Sequence, residues 1–216
     1  MSSFNPIEQL KREGSVALWH DYRLGHANDL SGNGNDGTPS GTYWWDRTGF
    51  NTDFMGIGAV EVANSASLDL ATLTAVALIV DRRIPQSGVY PTLFAFDSGG
   101  ANFYKVSMDN PSGFIRVLTT LGVNRRFTPS NLTGLSCIGV PINNNAAGYS
   151  WYRDGIIQSA INAAVTIVTS GNNLIIGNVD PSRPGQGFGR TISAFLIFNK
   201  LLSAEEHRDV YLELLK

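Results

Sequence analysis

The stretch DLSGNGNDGT, residues Asp29–Thr38, is almost free of hydrophobic side chains and carries Gly32, Gly34 and Gly37. The Asp29 carboxylate can accept hydrogen bonds from backbone N–H groups two and three residues further on, which closes an Asx turn. Glycine adopts left-handed backbone conformations at no steric cost. The stretch therefore predicts a tight, architectural turn near the start of the chain.

A calcium loop is the alternative interpretation of the same stretch. Asp29, Ser31 and Asn33 match the first half of an EF-hand loop. The twelfth position is Ser40 instead of a bidentate glutamate, so the second half does not match. We expect no cofactor, and calcium held by Asp29, Asn33 and Asp36 is left as the alternative.

Composition limits the classes of protein that this chain can belong to. Its 216 residues, 43% of them hydrophobic, are enough for one domain with a single core. The formal net charge of -2 gives no bulk attraction to nucleic acid or to an anionic membrane. Cys137 is the single cysteine, and its apolar surroundings in the sequence indicate a buried thiol. The first residues lack the apolar segment of a secretory signal, so we expect synthesis in a cytoplasm without a signal peptide.

Most of the chain reads as short strands. From residue 15 to about residue 200, apolar segments are bounded by Gly, Pro, Asn or Asp. The run Thr74–Arg83 is apolar on both faces, as in the central strand of a stacked sandwich. Asp154 and Gly155 form the strongest short hairpin signal. We find no alternation of strands with helices, so the sequence predicts an all-β antiparallel sandwich.

Short helices are predicted at both ends of the chain. Asn5 is a suitable N-cap with Pro6 after it, and Ser203 with Glu206 forms a capping box. We divide the chain into a helical arm, residues 1–14, and a sandwich with a C-terminal helix, residues 15–216. The arm has few apolar residues and needs a partner surface. We expect it to serve attachment, and the alternative is that Phe4, Ile7 and Leu10 plug an edge of the sandwich.

Four segments, in this order, resemble laminin-G-like domains of the concanavalin A-like jelly-roll class. They are ALWHDYRLGHANDLSGNGNDGT (residues 17–38), AVEVANSASLDLATLTAVALIV (residues 59–80), SWYRDGIIQ (residues 150–158), and NLIIGN with GFGRTISAFLIFNKLLSAEE (residues 173–178 and 187–206). The resemblance implies an antiparallel jelly-roll β-sandwich, of the kind found in phage structural proteins.

Some jelly-roll relatives hydrolyse glycans, and such chemistry needs two carboxylates held close together. Glu61 is the only glutamate in a predicted strand, and no acid follows it at a spacing of two or five residues. The three histidines are scattered and do not have the spacing of a zinc site. We therefore predict that the chain is not an enzyme.

Aromatic residues near the start of the sandwich are candidates for sugar binding. The loop-like stretch around residues 42–53 and the predicted hairpin near residue 154 supply planar rings, amides and carboxylates, namely Tyr43, Trp44, Trp45, Asp46, Asn51, Trp151 and Tyr152. Adjacent side chains of an extended segment point to opposite faces, so one of the two tryptophans should be exposed. The alternative is that one tryptophan caps the edge of the sandwich and the other covers the first helix.

Laminin-G-like domains usually work outside cells, whereas we expect no signal peptide here. A non-enzymatic virion protein with a lectin-like domain, such as a decoration or fibre component of a phage, reconciles these two expectations. Its partners would be other virion proteins or its own copies, in a homo-oligomer, and it would contact host glycans. We expect it to be made in the host cytoplasm and to work in the virion. Two alternatives are a stand-alone carbohydrate-binding module and a degenerate glycanase.

Overall fold

A computed structural model describes residues 5–52, 58–69, 72–80, 92–97, 103–109, 114–119, 125–126, 134–143, 149–161, 171–177 and 188–216. Within these ranges the chain is an antiparallel β-sandwich of two sheets with a short helix near each end. The predicted all-β jelly-roll class is confirmed.

The helices are α1 (Pro6–Arg12) and α2 (Ala204–Leu214), and a short 3-10 helix spans Tyr22–Leu24. The strands are β1 (Val16–Asp21), β2 (Gly37–Ser40), β3 (Tyr43–Asp46), β4 (Gly49–Thr52), β5 (Ala59–Val62), β6 (Thr72–Val80), β7 (Thr92–Asp97), β8 (Phe103–Asp109), β9 (Phe114–Thr119), β10 (Arg125–Arg126), β11 (Leu135–Asn143), β12 (Tyr149–Arg153), β13 (Ile156–Ile161), β14 (Asn173–Gly177) and β15 (Thr191–Phe198).

The strands form two sheets, which we name sheet I and sheet II. Sheet I has the order β13-β12-β11-β6-β15-β4-β3, and β1 also pairs with β15. Sheet II has the order β10-β9-β8-β7-β14-β5-β2. Neither of the described helices is long and apolar enough to cross a membrane.

Strand β6 lies in the middle of sheet I and is buried on both faces. Ala75, Ala77 and Ile79 face the core between the sheets, whereas Val76 and Leu78 belong to a second apolar cluster on the outer face of the sheet. A strand covered on both sides needs apolar residues at successive positions instead of an alternating pattern. The prediction of a central strand is confirmed as far as Val80, in a strand that spans Thr72–Val80, and residues 81–83 of the predicted run lie outside the described residues.

The outer face of sheet I is covered by the two helices. The second cluster joins Ile7 and Leu10 of α1, Val210 and Leu214 of α2, and the sheet residues Val16, Val76, Leu78, Cys137, Ala194, Leu196 and Phe198. The predicted caps are present, because the Asn5 side chain accepts from the Glu8 N–H and Ser203 with Glu206 forms the capping box. Helix α2 therefore covers the outer face of sheet I.

The docking partner of α1 is this same domain. Ile7 and Leu10 are buried in the second cluster, and the side-chain amide of Asn5 donates to Glu213 of α2 at 2.9 Å. The interpretation that the arm packs on its own sandwich therefore describes α1 better than the interpretation that it serves attachment. However, α1 covers a face of sheet I instead of an edge. Phe4 lies outside the described residues, and the boundary at residue 14 stays a prediction.

The Asp29 carboxylate organises the turn that follows β1. One of its oxygens accepts from the N–H groups of Trp19 (3.0 Å) and Ser31 (2.9 Å), and the other accepts from the Ser31 hydroxyl (2.7 Å) and the Asn35 N–H (3.0 Å). Burial alone would raise the pKa of this carboxyl, but the hydrogen bonds hold its pKa below the usual value. Gly34 has φ +75°, in the region that favours glycine.

The other polar side chains of the turn also serve the architecture. The Asn33 amide donates to the Val16 and Ala17 carbonyls, and Asp36 accepts from the Asp29 N–H at 2.7 Å. The described residues include no group of three or more His, Cys, Asp or Glu side chains that could hold a metal ion. These contacts favour the architectural interpretation, and calcium at Asp29, Asn33 and Asp36 stays the alternative to be tested.

Asn35 connects this turn to the second segment of the family resemblance. Its side-chain amide donates to the Ala17 carbonyl (2.7 Å) and to the Ser67 hydroxyl (2.8 Å), and its side-chain oxygen accepts from Ser65 (2.6 Å). The SGNGN and NSAS sequences therefore contact each other directly. A change in one of them leaves buried polar groups of the other without partners.

We predict that Asp29→Ala lowers the free energy of unfolding by about 2–3 kcal/mol, because three backbone N–H groups lose their acceptor. The melting temperature of a domain of this size should fall by roughly 4–12 °C, measured by circular dichroism. Asp69→Ala, which removes an exposed carboxylate, is the matched control. A sharp loss of wild-type stability in a chelator would instead support the calcium alternative.

His207 is buried between α2 and sheet I, with 3% of its surface exposed. Its ring stacks on Tyr152 at 3.7 Å between centroids, and a Cβ atom on Gly139 would lie 2.5 Å from the ring, so this position requires glycine. Burial lowers the pKa of His207 to about 4, against a weaker opposing effect of Glu206.

We predict that His207 makes the fold less stable as the pH falls from about 6.5 to about 4. Over this window the unfolded chain binds a proton at His207 that the folded chain rejects, so the free energy of unfolding falls by about 1.4 kcal/mol per pH unit. Urea titrations across the window should show a weaker pH dependence in His207→Phe than in the wild type. His26→Phe is the control, and parallel curves for wild type and His207→Phe would contradict the prediction.

Candidate functional site

The candidate site lies on the hairpin of β3 and β4, at one end of sheet I. The turn forms because Asp46 accepts hydrogen bonds from the N–H and the hydroxyl of Thr48. Gly49 has φ +131°, and a Cβ atom there would lie 2.3 Å from the Ile192 carbonyl oxygen. Glycine is therefore required at this position, where β4 begins to pair with β15.

Side-chain hydrogen bonds fix this hairpin to β15. The Asn51 amide donates to the Gly49 carbonyl at 2.8 Å, and its oxygen accepts from Thr191 at 2.5 Å. Ser193 donates to the Thr48 carbonyl at 2.5 Å. The hairpin therefore has a fixed position on the sandwich, which a binding surface needs if it is not to lose entropy on contact with a ligand.

An aromatic cluster lies beneath the hairpin. The ring of Phe50 has its centroid 5.1 Å from Trp45, 5.7 Å from Tyr43 and 5.8 Å from Tyr22. Tyr43 and Trp45 are two residues apart on β3 and so share one face of the strand. Trp45 packs against the core between the sheets, so its ring supports the hairpin.

Trp44 has the opposite orientation to its neighbour Trp45. It is 41% exposed, and Tyr43 beside it is 37% exposed. Because Tyr43 shares the face of Trp45, we name Trp44, Asp46 and the exposed Arg47 of the turn the aromatic edge. A flat ring surface next to a carboxylate and a guanidinium can contact the apolar face and the hydroxyl groups of a sugar. The prediction that one of the two adjacent tryptophans is exposed agrees with this arrangement.

The structure does not bring all predicted site residues together. Asn51 is buried and serves the hairpin, and Trp151 is 1% exposed inside the core between the sheets. Tyr152 stacks on His207 beneath α2. Because β12 is five strand steps from β3 in sheet I, these two residues lie roughly 24 Å from the aromatic edge. Trp151 and Tyr152 are therefore excluded from this candidate site.

Two residues that matter here were missed by sequence reasoning. Arg47 lies in the two-residue turn between Asp46 and Gly49, which the sequence DRTG could have indicated as a hairpin turn. Tyr22 is fully buried and supports Phe50 and Trp45 from the 3-10 helix. No local signal identifies Tyr22, because its contacts come from residues far along the chain.

The surroundings of Glu61 bear on the question of catalysis. Glu61 is exposed on β5, and its cross-strand partners are Thr38 and Ile175. Its carboxylate accepts from the side-chain amide of Asn173 at 2.7 Å. Its direct cross-strand neighbours therefore provide no second carboxylate.

Several solved structures share this fold. Domain 4 of AbnA, an extracellular arabinanase from Geobacillus stearothermophilus solved in complex with arabinotriose, has a TM-score of 0.67 and 13% identity, over 91% of this chain and 98% of that domain. A structure of botulinum neurotoxin type C, whose cell entry depends on two ganglioside molecules, has a TM-score of 0.71 and 12% identity, over 96% of this chain and 53% of that chain. Trypanosoma rangeli sialidase has a TM-score of 0.70 and 14% identity, over 92% of this chain and 32% of that chain.

At these identities the similarity concerns the fold alone. It confirms the concanavalin A-like jelly-roll class, whereas the laminin-G-like and phage parts of the resemblance stay predictions. This chain spans about half of the neurotoxin structure and a third of the sialidase. No protein-family model and no curated protein matches the sequence.

Proposed function

We propose that this chain is a lectin-like carbohydrate-binding domain and that the aromatic edge contacts the sugar. The observation that carries the proposal is the Trp44 ring, 41% exposed on a hairpin that hydrogen bonds and buried aromatic rings hold in place.

Chemistry at the aromatic edge supports a saccharide ligand. A tryptophan ring can stack on the C–H face of a pyranose, and its fixed position limits the entropy lost on binding. Asp46 can accept hydrogen bonds from the hydroxyl groups of the sugar, and Arg47 can donate hydrogen bonds to them. The arabinanase domain bound to arabinotriose and the ganglioside-dependent neurotoxin support the same class of ligand on this fold.

We also propose that the protein is not an enzyme and needs no cofactor. Hydrolysis by a pair of acids requires two carboxyl groups about 5–9 Å apart, and Glu61 lies opposite Thr38 and Ile175 in the sheet. Its carboxylate is hydrogen bonded to Asn173. A degenerate glycanase therefore has less support than a binding domain.

We predict that Trp44→Ala weakens sugar binding roughly 2- to 13-fold, since contacts of an aromatic ring contribute about 0.5–1.5 kcal/mol. Binding is measured by saturation-transfer NMR and calorimetry with arabinotriose and with the oligosaccharides of gangliosides. Leu135→Ala is the matched control, because Leu135 is similarly exposed, at 45%, on another strand. Equal binding by Trp44→Ala and the wild type would refute the assignment of the site, whereas binding of none of these sugars by the wild type would refute the function.

Chromatography of the same sugars after long incubation tests the absence of enzyme activity. We expect them to be recovered intact. Release of shorter sugars that Glu61→Gln abolishes would show that the protein is a glycanase.

Within this role we propose a virion structural protein of a phage, such as a decoration or fibre component, located in the virion. The support is that the helices cover one face of sheet I while the aromatic edge lies at the end of that sheet, so attachment and glycan contact have separate surfaces. The alternative is a stand-alone carbohydrate-binding module. We predict that mass spectrometry of purified virions from the producing cells detects the protein at a fixed ratio to the capsid protein, and recovery only in the particle-free fraction would favour the alternative.

A further inference from the structure

A groove runs between α1 and α2 on the outer side of sheet I. It consists of two adjoining cavities of 410 Å³ and 150 Å³, and both are lined by Pro6 and Asp209. Leu10, which is only 5% exposed, lies at the base of the larger cavity, and Leu212, which is 48% exposed, lines the smaller one. The groove, which we name the helix groove, therefore offers the apolar side chain of Leu212 to a ligand.

Uncompensated acids line the larger cavity. Glu13, Glu205 and Asp209 have no salt bridge within the described part of the chain, whereas the neighbouring Glu206 is paired with Lys200 at 2.6 Å. In the smaller cavity, Lys216 is already paired with Glu213 at 2.6 Å. The groove therefore has a net negative charge that the described residues do not neutralise.

Two of these acids do not stabilise the helices at the positions where they lie. Glu13 is the C-cap of α1, where the helix dipole favours a cation over an anion. Asp209 lies in the middle of α2, where aspartate is a weak helix former. Residues that break such local rules are often retained for binding.

We propose that the helix groove docks a segment of a partner protein that carries lysine or arginine side chains next to apolar ones. The basic side chains would pair with Glu13, Glu205 and Asp209, and the apolar ones would cover Leu212, which is 48% exposed. Charge complementarity selects this partner, since an acidic or neutral segment would leave the three carboxylates desolvated without cations. The proposal is independent of sugar binding, because the aromatic edge is on the β3–β4 hairpin.

The test screens a library of random peptides, displayed on yeast, for binding to the whole protein. We expect the enriched peptides to carry a net positive charge together with apolar residues. The best peptide is then synthesised, and its affinity is measured by fluorescence anisotropy for the wild type and for the double variant Glu205→Gln/Asp209→Asn. We expect roughly tenfold weaker binding by this variant, with a difference that shrinks at high salt. Leu212→Ala should weaken binding at low and high salt alike.

The double variant Glu61→Gln/Asp69→Asn, which removes two exposed acids outside the helix groove, is the matched control and should bind like the wild type. Equal weakening by both double variants would show unspecific charge attraction and overturn the proposal. A library that yields no peptide whose binding depends on the helix groove would also overturn the proposal. Sedimentation that reveals a dimer of the protein, dissociated by the groove variant, would make a second copy the occupant and would also overturn it. Melting temperatures of all variants confirm that they fold.

Discussion

Strand β1 pairs with β15 on one side, and its other edge depends on the Asp29 turn. The Trp19 N–H donates to the Asp29 carboxylate, the Trp19 carbonyl accepts from the Leu30 N–H, and the Ala17 carbonyl accepts from the Asn35 side chain. Two side chains and the backbone N–H of Leu30 thus take the place of a neighbouring strand. An unpaired edge inside a sandwich is costly and invites association with other chains, so one ionised carboxylate protects the first strand of the fold.

From this turn the chain continues to the candidate site. Residues after Asn35 enter β2 of sheet II, and the chain then changes sheet to form β3 and β4 of sheet I. Phe50 of β4 rests on Tyr22, which directly follows β1. The position of Trp44 therefore depends on a hairpin whose support comes from the segment that the Asp29 turn fixes. Architecture and the proposed binding surface are parts of one network.

Local patterns were sufficient for the features that depend on neighbours in sequence: the Asp29 turn, the two-sided burial of β6 and the helix caps at Asn5 and Ser203. They were insufficient wherever the outcome depends on what covers a face. Trp44 and Trp151 look equally available in the sequence, but one lies at an outer strand and the other inside the core. The docking of α1 was equally open, because Ile7 and Leu10 acquire their partners only from α2 and sheet I.

The contact between Asn5 and Glu213 brings the first and the last described elements side by side. When a chain enters and leaves a fold at one place, the segments that flank the fold lie close together. Such a unit can be inserted into a surface loop of another domain, repeated in tandem with short connections, or circularly permuted by joining the two ends. Modular reuse of this sandwich thus requires no change to its sheets, and the two helices determine the direction in which any neighbouring domain leaves it.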